Sequence, residues 1–152
     1  MKIEIYTDGA ARGNPGRGGY GVVLKFNQHR KELSEGFRLT TNNRMELLAV
    51  IKALEALKKS DLEVIIYSDS KYVIDSVEKK WVFGWVKKNF KGKKNADLWI
   101  QFLDLYKLHN ISFIWVKGHA GNPENERCDE LATMAADQQD SLLEIDTEYE
   151  NL

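Results

Sequence analysis

Val64-Ile65-Ile66-Tyr67 is an unbroken apolar run between Glu63 and Ser68-Asp69-Ser70. Four such residues suit a strand, and the absence of alternation suits one covered on both faces in the middle of a sheet. Ser68-Asp69-Ser70 then reads as the start of a helix running toward Val77. On the other side of the run, residues 43–59 repeat Leu47, Val50, Ile51, Leu54 and Leu57 at helical spacing, with Arg44, Lys52, Glu55 and Lys59 opposite. This predicts an amphipathic helix, so the central strand is flanked by helices in sequence.

Further out, Lys2 to Thr7 alternates polar and apolar, the period of a strand with one buried face, and is expected to stop at Asp8-Gly9. Six of the eleven glycines and Pro15 fall between Gly9 and Gly21, which predicts a loop until Tyr20 to Leu24 resumes extended structure. Asn27 to Arg30 reads as a turn, and Glu32 to Leu39 as a third strand pairing back antiparallel. Toward the C-terminus, Ala96 to Leu108 is a second amphipathic helix and Ile111 to Val116 a last strand. Asn122-Pro123 supplies an N-cap followed by Pro at N1, so a helix should run from Pro123 to about Asp137. The segment 118–121 before it is then a loop that leaves His119 accessible. The resulting order, βββαβααβα, implies an α/β domain with a mixed sheet flanked by helices.

A chain of 152 residues with 43% hydrophobic content is enough for one domain and one core. Nothing approaches the roughly 18 uninterrupted apolar residues of a membrane span, and the opening Met1-Lys2-Ile3-Glu4 has no apolar signal segment. A soluble, cytoplasmic protein is expected. The single cysteine, Cys128, excludes an internal disulfide and leaves a thiolate zinc site short of ligands. Net charge is −1, which argues against a simple basic nucleic-acid binder. The charge is uneven, however. Residues 137–152 hold six acids and no Lys or Arg, and without those six the 23 acidic residues fall to 17 against 22 basic ones.

The chemistry begins with an echo: Ile-Tyr-Thr-Asp at 5–8 and Ile-Tyr-Ser-Asp at 66–69 each end a strand in a hydroxyl residue and an aspartate. If the strands are parallel neighbours, Asp8 and Asp69 meet at the carboxyl edge of the sheet, where α/β folds usually bind ligands. Two carboxylates that close repel unless a cation lies between them. Glu46 stands four, seven and eleven residues before Val50, Ala53 and Leu57, on the apolar face of its helix. Asp129 comes from the last helix. Taken singly, each has another explanation: Asp8-Gly9 as a turn, Asp69 as a helix cap, Glu46 reaching back to an N-cap at Asn43, Asp129 as a surface acid. His119 alone could be an ordinary solvated histidine. Carboxylates without thiolates favour hard cations, Mg²⁺ or Mn²⁺, which pair with phosphate substrates. Lys79 to Lys94 adds seven lysines and four aromatics with no acid, a composition suited to sugar-phosphate contact rather than to a solvated helix.

Tyr-Thr-Asp-Gly-Ala followed by Gly-Asn-Pro-Gly, Thr-Thr-Asn-Asn-Arg-Met-Glu, Ser-Asp-Ser, and Gly-His-Ala-Gly-Asn-Pro-Glu-Asn-Glu-Arg-Cys-Asp closely resemble the motifs of bacterial ribonuclease HI, from Ile3 to about Ala136. The resemblance implies a five-stranded mixed sheet with flanking helices, and a catalytic domain over 1–138. It implies that Asp8, Glu46, Asp69 and Asp129 bind two Mg²⁺ ions, with Mn²⁺ able to substitute, and that His119 assists proton transfer or product release. The expected partner is an RNA–DNA hybrid cut in its RNA strand to leave 3′-hydroxyl and 5′-phosphate ends, by a monomer without membrane attachment. Asn14, Asn42 and Asn43 would line the hybrid, since short amides can read 2′-hydroxyls across a shallow minor groove. Lys71 is a further expected contact. Trp81, Trp85, Lys87 and Lys88 would belong to a basic protrusion, about 79–94, that holds the DNA strand. Two rivals are a non-catalytic hybrid-binding module, which predicts a missing acid, and another metal nuclease on the same architecture. All four acids are present, and His119 with the protrusion favours ribonuclease H. Leu142 to Leu152 lie outside the resemblance, and residues 139–152 are expected to be a flexible acidic tail.

Overall fold

The computed structural model describes residues 2–117 and 121–151. Alternation in the first strand is realised directly: Ile3, Ile5 and Thr7 are buried on one face of β1 (Lys2–Arg12), while Glu4 and Tyr6 lie half-buried on the other. β1 pairs antiparallel with β2 (Gly16–Phe26), which pairs antiparallel with β3 (His29–Thr40). On its other edge β1 pairs in parallel with β4 (Glu63–Ser68), and β4 with β5 (Asn110–Trp115). The five-stranded mixed sheet has the order β3-β2-β1-β4-β5.

The predicted glycine loop is instead a long hairpin arm, because β1 continues through Asp8-Gly9 to Arg12 and β2 begins at Gly16. These glycines mark close approaches of helices to the sheet. A Cβ on Gly19 would lie 2.5 Å from the Ala132 carbonyl oxygen, and one on Gly21 2.3 Å from that of Cys128.

One face of the sheet is covered by α1 (Asn42–Glu55), whose Met45, Leu47, Val50, Ile51 and Leu54 pack on Ile5, Val22, Val64 and Ile66. Alongside lie α2 (Lys71–Glu78), α3 (Trp81–Lys87) and α4 (Ala96–Tyr106), the last contributing the fully buried Trp99 and Phe102. Each such side chain contributes about 1.5–3 kcal/mol by leaving water. The opposite face carries α5 (Pro123–Ala136), which seats Cys128 and Leu131 on Val23. Because α5 lies over β1, β2 and β3, Ile65 and Tyr67 of β4 stay half-buried, and the expectation of a strand covered on both faces holds for one face only.

Helix starts follow local chemistry. Asn122 caps α5, its side chain accepting from the Asn125 amide at 3.0 Å with Pro123 at the first turn, as the sequence predicts. In α1 the cap is Thr41 rather than Asn43, and in α2 it is Ser70 rather than Asp69. Both displaced residues are thereby left available for other contacts. The acidic end is docked, contrary to the expected flexible tail. After a 3-10 turn at Asp140–Leu142, Glu144 exchanges backbone hydrogen bonds with Gly36 and Arg38 of β3, and a short α6 (Thr147–Glu150) follows. The reason is charge pairing over long sequence separation: Asp137 with Arg12, Asp140 with Arg17, Asp146 with Arg44, Glu150 with Arg38. Among the described residues, no helix is long and apolar enough to cross a membrane.

Candidate active site

Parallel pairing of β1 and β4 sets Tyr6 beside Tyr67, their rings stacked at 4.5 Å. Two residues further along each chain stand Asp8 and Asp69, so the echo in the sequence becomes a pair of acids at one sheet edge. The first turns of α1 bring in Glu46. A carboxylate oxygen from each of Asp8, Glu46 and Asp69 lies within 4.8 Å of the others. Asp129 of α5 lines the same cavity, of about 500 Å³, together with Asn42, Asn43, Lys71 and Tyr72.

Gly9 makes the approach of α1 possible. A Cβ at this position would lie 2.3 Å from the Glu46 backbone nitrogen and 2.5 Å from the Met45 carbonyl carbon. With hydrogen there instead, the Gly9 amide donates both to Asp8 Oδ1 at 2.9 Å and to Glu46 Oε1. Glu46 therefore reaches across to the neighbouring strand rather than back to its own helix start. Sequence reading took Asp8-Gly9 as a strand end and missed this role. The available signal was a glycine next to an acid within a strand pattern, which marks a close backbone approach as well as a turn.

The electrostatics are unfavourable for the acids alone. Asp8 is 6% exposed and Glu46 4%. Burial, reinforced by the charges of Asp69 and Asp129, pushes the Asp8 carboxyl from 3.8 up to about 7, against the lowering effect of its hydrogen bonds. Burial and the adjacent Asp8 push Glu46 well above the ordinary carboxylate range, and burial raises Asp69 as well. None of the four acids takes part in an ion pair among the described residues. A hard divalent cation fits such a set, since every donor is a carboxylate oxygen and a cation would relieve the repulsion.

Around this cavity the remaining predicted residues divide. Asn14 Oδ1 accepts from the Asn42 amide at 3.1 Å, tying the hairpin arm to the start of α1. Asn14 and Asn43 line a second cavity of about 610 Å³ with Lys93 and Lys94, so Asn43 borders both. Lys71 sits with its ammonium 4.2 Å from the Trp115 ring, and Trp115 Nε1 donates to the Asp69 carbonyl at 3.3 Å. Trp115 is thus a residue beside the site that the sequence reading took only as strand. Trp81, Trp85 and Lys88 line a separate cavity of about 370 Å³ on the basic segment, and Lys87 is exposed on α3. Trp81 is open to solvent, whereas Trp85 packs edge-on to Trp99 at 6.0 Å, which joins the segment to the core. His119 lies outside the described residues.

The sequence model of the family described as RNase H matches residues 1–137. A ribonuclease H of Desulforamulus reducens is 54% identical over 149 residues, covering 95% of this chain and 93% of its own. One of Syntrophus aciditrophicus is 56% identical over 144 residues, covering 91% and 83%. Among solved structures, LC9-RNase H1, described as a type 1 RNase H with the type 2 active-site motif, superposes with a TM-score of 0.81 at 31% identity over 99% of this chain and 79% of that one. LC11-RNase H1, solved in complex with an RNA/DNA hybrid, gives 0.70 at 29% identity, covering 89% and 96%. The chain belongs to the ribonuclease H family, and is a nuclease that hydrolyses phosphodiester bonds.

Proposed function

We propose that the protein is an endonuclease that cuts the RNA strand of RNA–DNA hybrids, with Asp8, Glu46, Asp69 and Asp129 holding two Mg²⁺ ions, for which Mn²⁺ can substitute. The observation that carries this reading is the convergence of three carboxylates, two of them buried, with no protein cation paired to them among the described residues. When bound, such ions supply an activated water and charge stabilisation at the scissile phosphate, consistent with 3′-hydroxyl and 5′-phosphate products.

The chain's own residues divide the remaining work. Asn42 and Asn43 offer amides beside the acids, Asn14 offers one in the adjoining cavity, and the three select the RNA strand through its 2′-hydroxyls. Lys71 contributes a cation at the rim of the acid cavity. Trp81, Trp85, Lys87 and Lys88 hold the DNA strand, the lysines by its phosphates and the rings by its sugars and bases. His119 assists proton transfer or product release. Residues 1–138 form the catalytic domain, acting as a cytoplasmic monomer. The LC11-RNase H1 complex supports the choice of substrate by family likeness.

The test compares labelled RNA–DNA hybrid, duplex RNA and duplex DNA with Mg²⁺. Hybrid alone should be cut, in its RNA strand, with EDTA abolishing cleavage. Equal cutting of duplex DNA would return the assignment to a general metal nuclease.

A further inference from the structure

The segment after α5 does more than shield the edge of the sheet. Asp146, 8% exposed, accepts from Arg44 Nε at 2.7 Å, from Arg44 Nη2 at 2.9 Å and from Thr40 Oγ1 at 2.6 Å. The Arg44 guanidinium, 2% exposed, also donates to both oxygens of Asp97, at 2.9 and 2.7 Å, and to Asn95 Oδ1 at 3.2 Å. All five of its N–H donors are therefore taken. One buried cation thus ties the start of α1, the start of α4 and the C-terminal segment into a single joint.

From this joint the segment reaches the groove. Glu148 and Tyr149 line the 610 Å³ cavity together with Asn14, Asn43, Lys93 and Lys94. The Tyr149 ring sits 5.7 Å from the Arg44 guanidinium carbon, a cation–π contact that fixes its orientation. On the other side, Asn95 Nδ2 donates to the Tyr72 hydroxyl at 3.1 Å, and Tyr72 borders the acid cavity. A continuous polar chain, Asp146–Arg44–Asn95–Tyr72, therefore connects the C-terminal segment to the site of the acids.

We propose that residues 139–151 are a wall of the hybrid-binding groove, latched by Asp146 onto Arg44, in which Tyr149 touches the nucleic acid and Glu148 sets an upper limit on its affinity. The proposal rests on the reading of the protein as a hybrid-cutting nuclease. A tyrosine offers a ring for stacking on a sugar or base and a hydroxyl for a phosphate. A carboxylate lining the same cavity as Lys93 and Lys94 offsets part of their attraction for phosphate. Asp146 acts only through Arg44 and is a positioning residue.

Variants of the full chain test this with a labelled RNA–DNA hybrid, reading Kd in EDTA by fluorescence anisotropy, KM and kcat with Mg²⁺, and Tm. Tyr149→Ala should weaken Kd and raise KM by about fivefold to tenfold, with kcat within about twofold. Tyr149→Phe should recover most of that loss, because the ring is kept. Glu148→Gln should shift Kd the other way, tightening it by about twofold to threefold at low salt. Asp146→Asn should move Kd in the same direction as Tyr149→Ala. Should Asp146→Asn fail to fold, the two variants at 148 and 149, which leave the latch intact, carry the test. A merely structural segment predicts lower Tm with Kd unchanged well below the transition, and that result for both Tyr149→Ala and Glu148→Gln overturns the proposal. A wild-type protein that fails to cut hybrid removes the reading of function instead, and the wall is then judged by the Kd shifts alone.

Discussion

Two residues apart on α1, Arg44 and Glu46 lead into two buried charge clusters with opposite accounting. Around Arg44, two carboxylates and an amide oxygen saturate one guanidinium. Around Glu46, three carboxylates crowd together, two of them sharing the Gly9 amide and none paired with a cation among the described residues. The titration directions follow. Burial alone would raise Asp97, but hydrogen bonding and charge from Arg44 bring it below its ordinary value. Asp8, Glu46 and Asp69 are all raised, chiefly by burial. Buried acids matched by a cation hold the fold together, and buried acids left unmatched wait for a ligand.

The largest expected effect comes from breaking the unmatched cluster. Asp69→Asn should keep the fold and hybrid binding while cutting Mg²⁺-dependent cleavage by about a thousandfold or more, equivalent to roughly 4 kcal/mol of transition-state stabilisation. Single-turnover cleavage of a labelled hybrid measures it. Turnover near wild type would remove Asp69 from the proposed metal site.

Next in size is the contact that brings the two parts of the site together. Gly9→Ala places a methyl where the backbone of Met45 and Glu46 now sits, so α1 must shift. Overpacking of this kind costs about 1–3 kcal/mol, and a displacement near 1 Å at a catalytic group can cost on the order of a hundredfold in rate. Both Tm and kcat should fall, while the same change at Gly84, where a Cβ meets nothing within 4 Å, should leave kcat alone. A Gly9→Ala enzyme with normal kcat would mean that α1 need not lie this close for chemistry.

This contrast also explains what the sequence could reveal. Elements with strong local signals were legible: the apolar run of β4, the periodic α1, and the Asn122-Pro123 start of α5. The paired strand endings also point to the approach of Asp8 and Asp69, which the fold brings together with Glu46. The glycine arm was misread because a glycine that admits a helix and a glycine that makes a turn look alike in one dimension. Only the folded chain shows Ala132 and Cys128 above Gly19 and Gly21. The acidic end was misread because its partners, Arg12, Arg17, Arg38 and Arg44, lie more than a hundred residues away. A local reading sees only a run of unpaired acids there. α3 was missed because Gly84 and the lysines weaken a helical pattern that Val82 and Trp85 complete through the core.

The smallest effects, and the most diagnostic, concern stability. Asp97→Asn removes charge from the matched cluster and should destabilise the protein by about 1–3 kcal/mol with or without Mg²⁺. Asp8→Asn keeps an oxygen for the Gly9 amide but removes a repelling charge, so it should raise Tm in EDTA at neutral pH and lose the stabilisation that Mg²⁺ gives the wild type. The pH dependence separates the clusters again. Asp8 titrates near 7 when folded and near 3.8 when unfolded, so the folded form holds its proton more tightly. Its contribution to stability is complete below 3.8 and disappears as pH rises through about 7. Asp97 is lowered by folding, so its contribution is present above its ordinary value of 3.8 and is lost as pH falls through its folded value. In EDTA the wild-type Tm should therefore fall between about pH 4 and 7, with Mg²⁺ flattening the slope by holding the acids ionised, and Asp8→Asn should flatten it without metal. If Asp8→Asn leaves that slope as steep as in the wild type, the unmatched acids are not what sets it, and the contrast between the two clusters at the start of α1 must be redrawn.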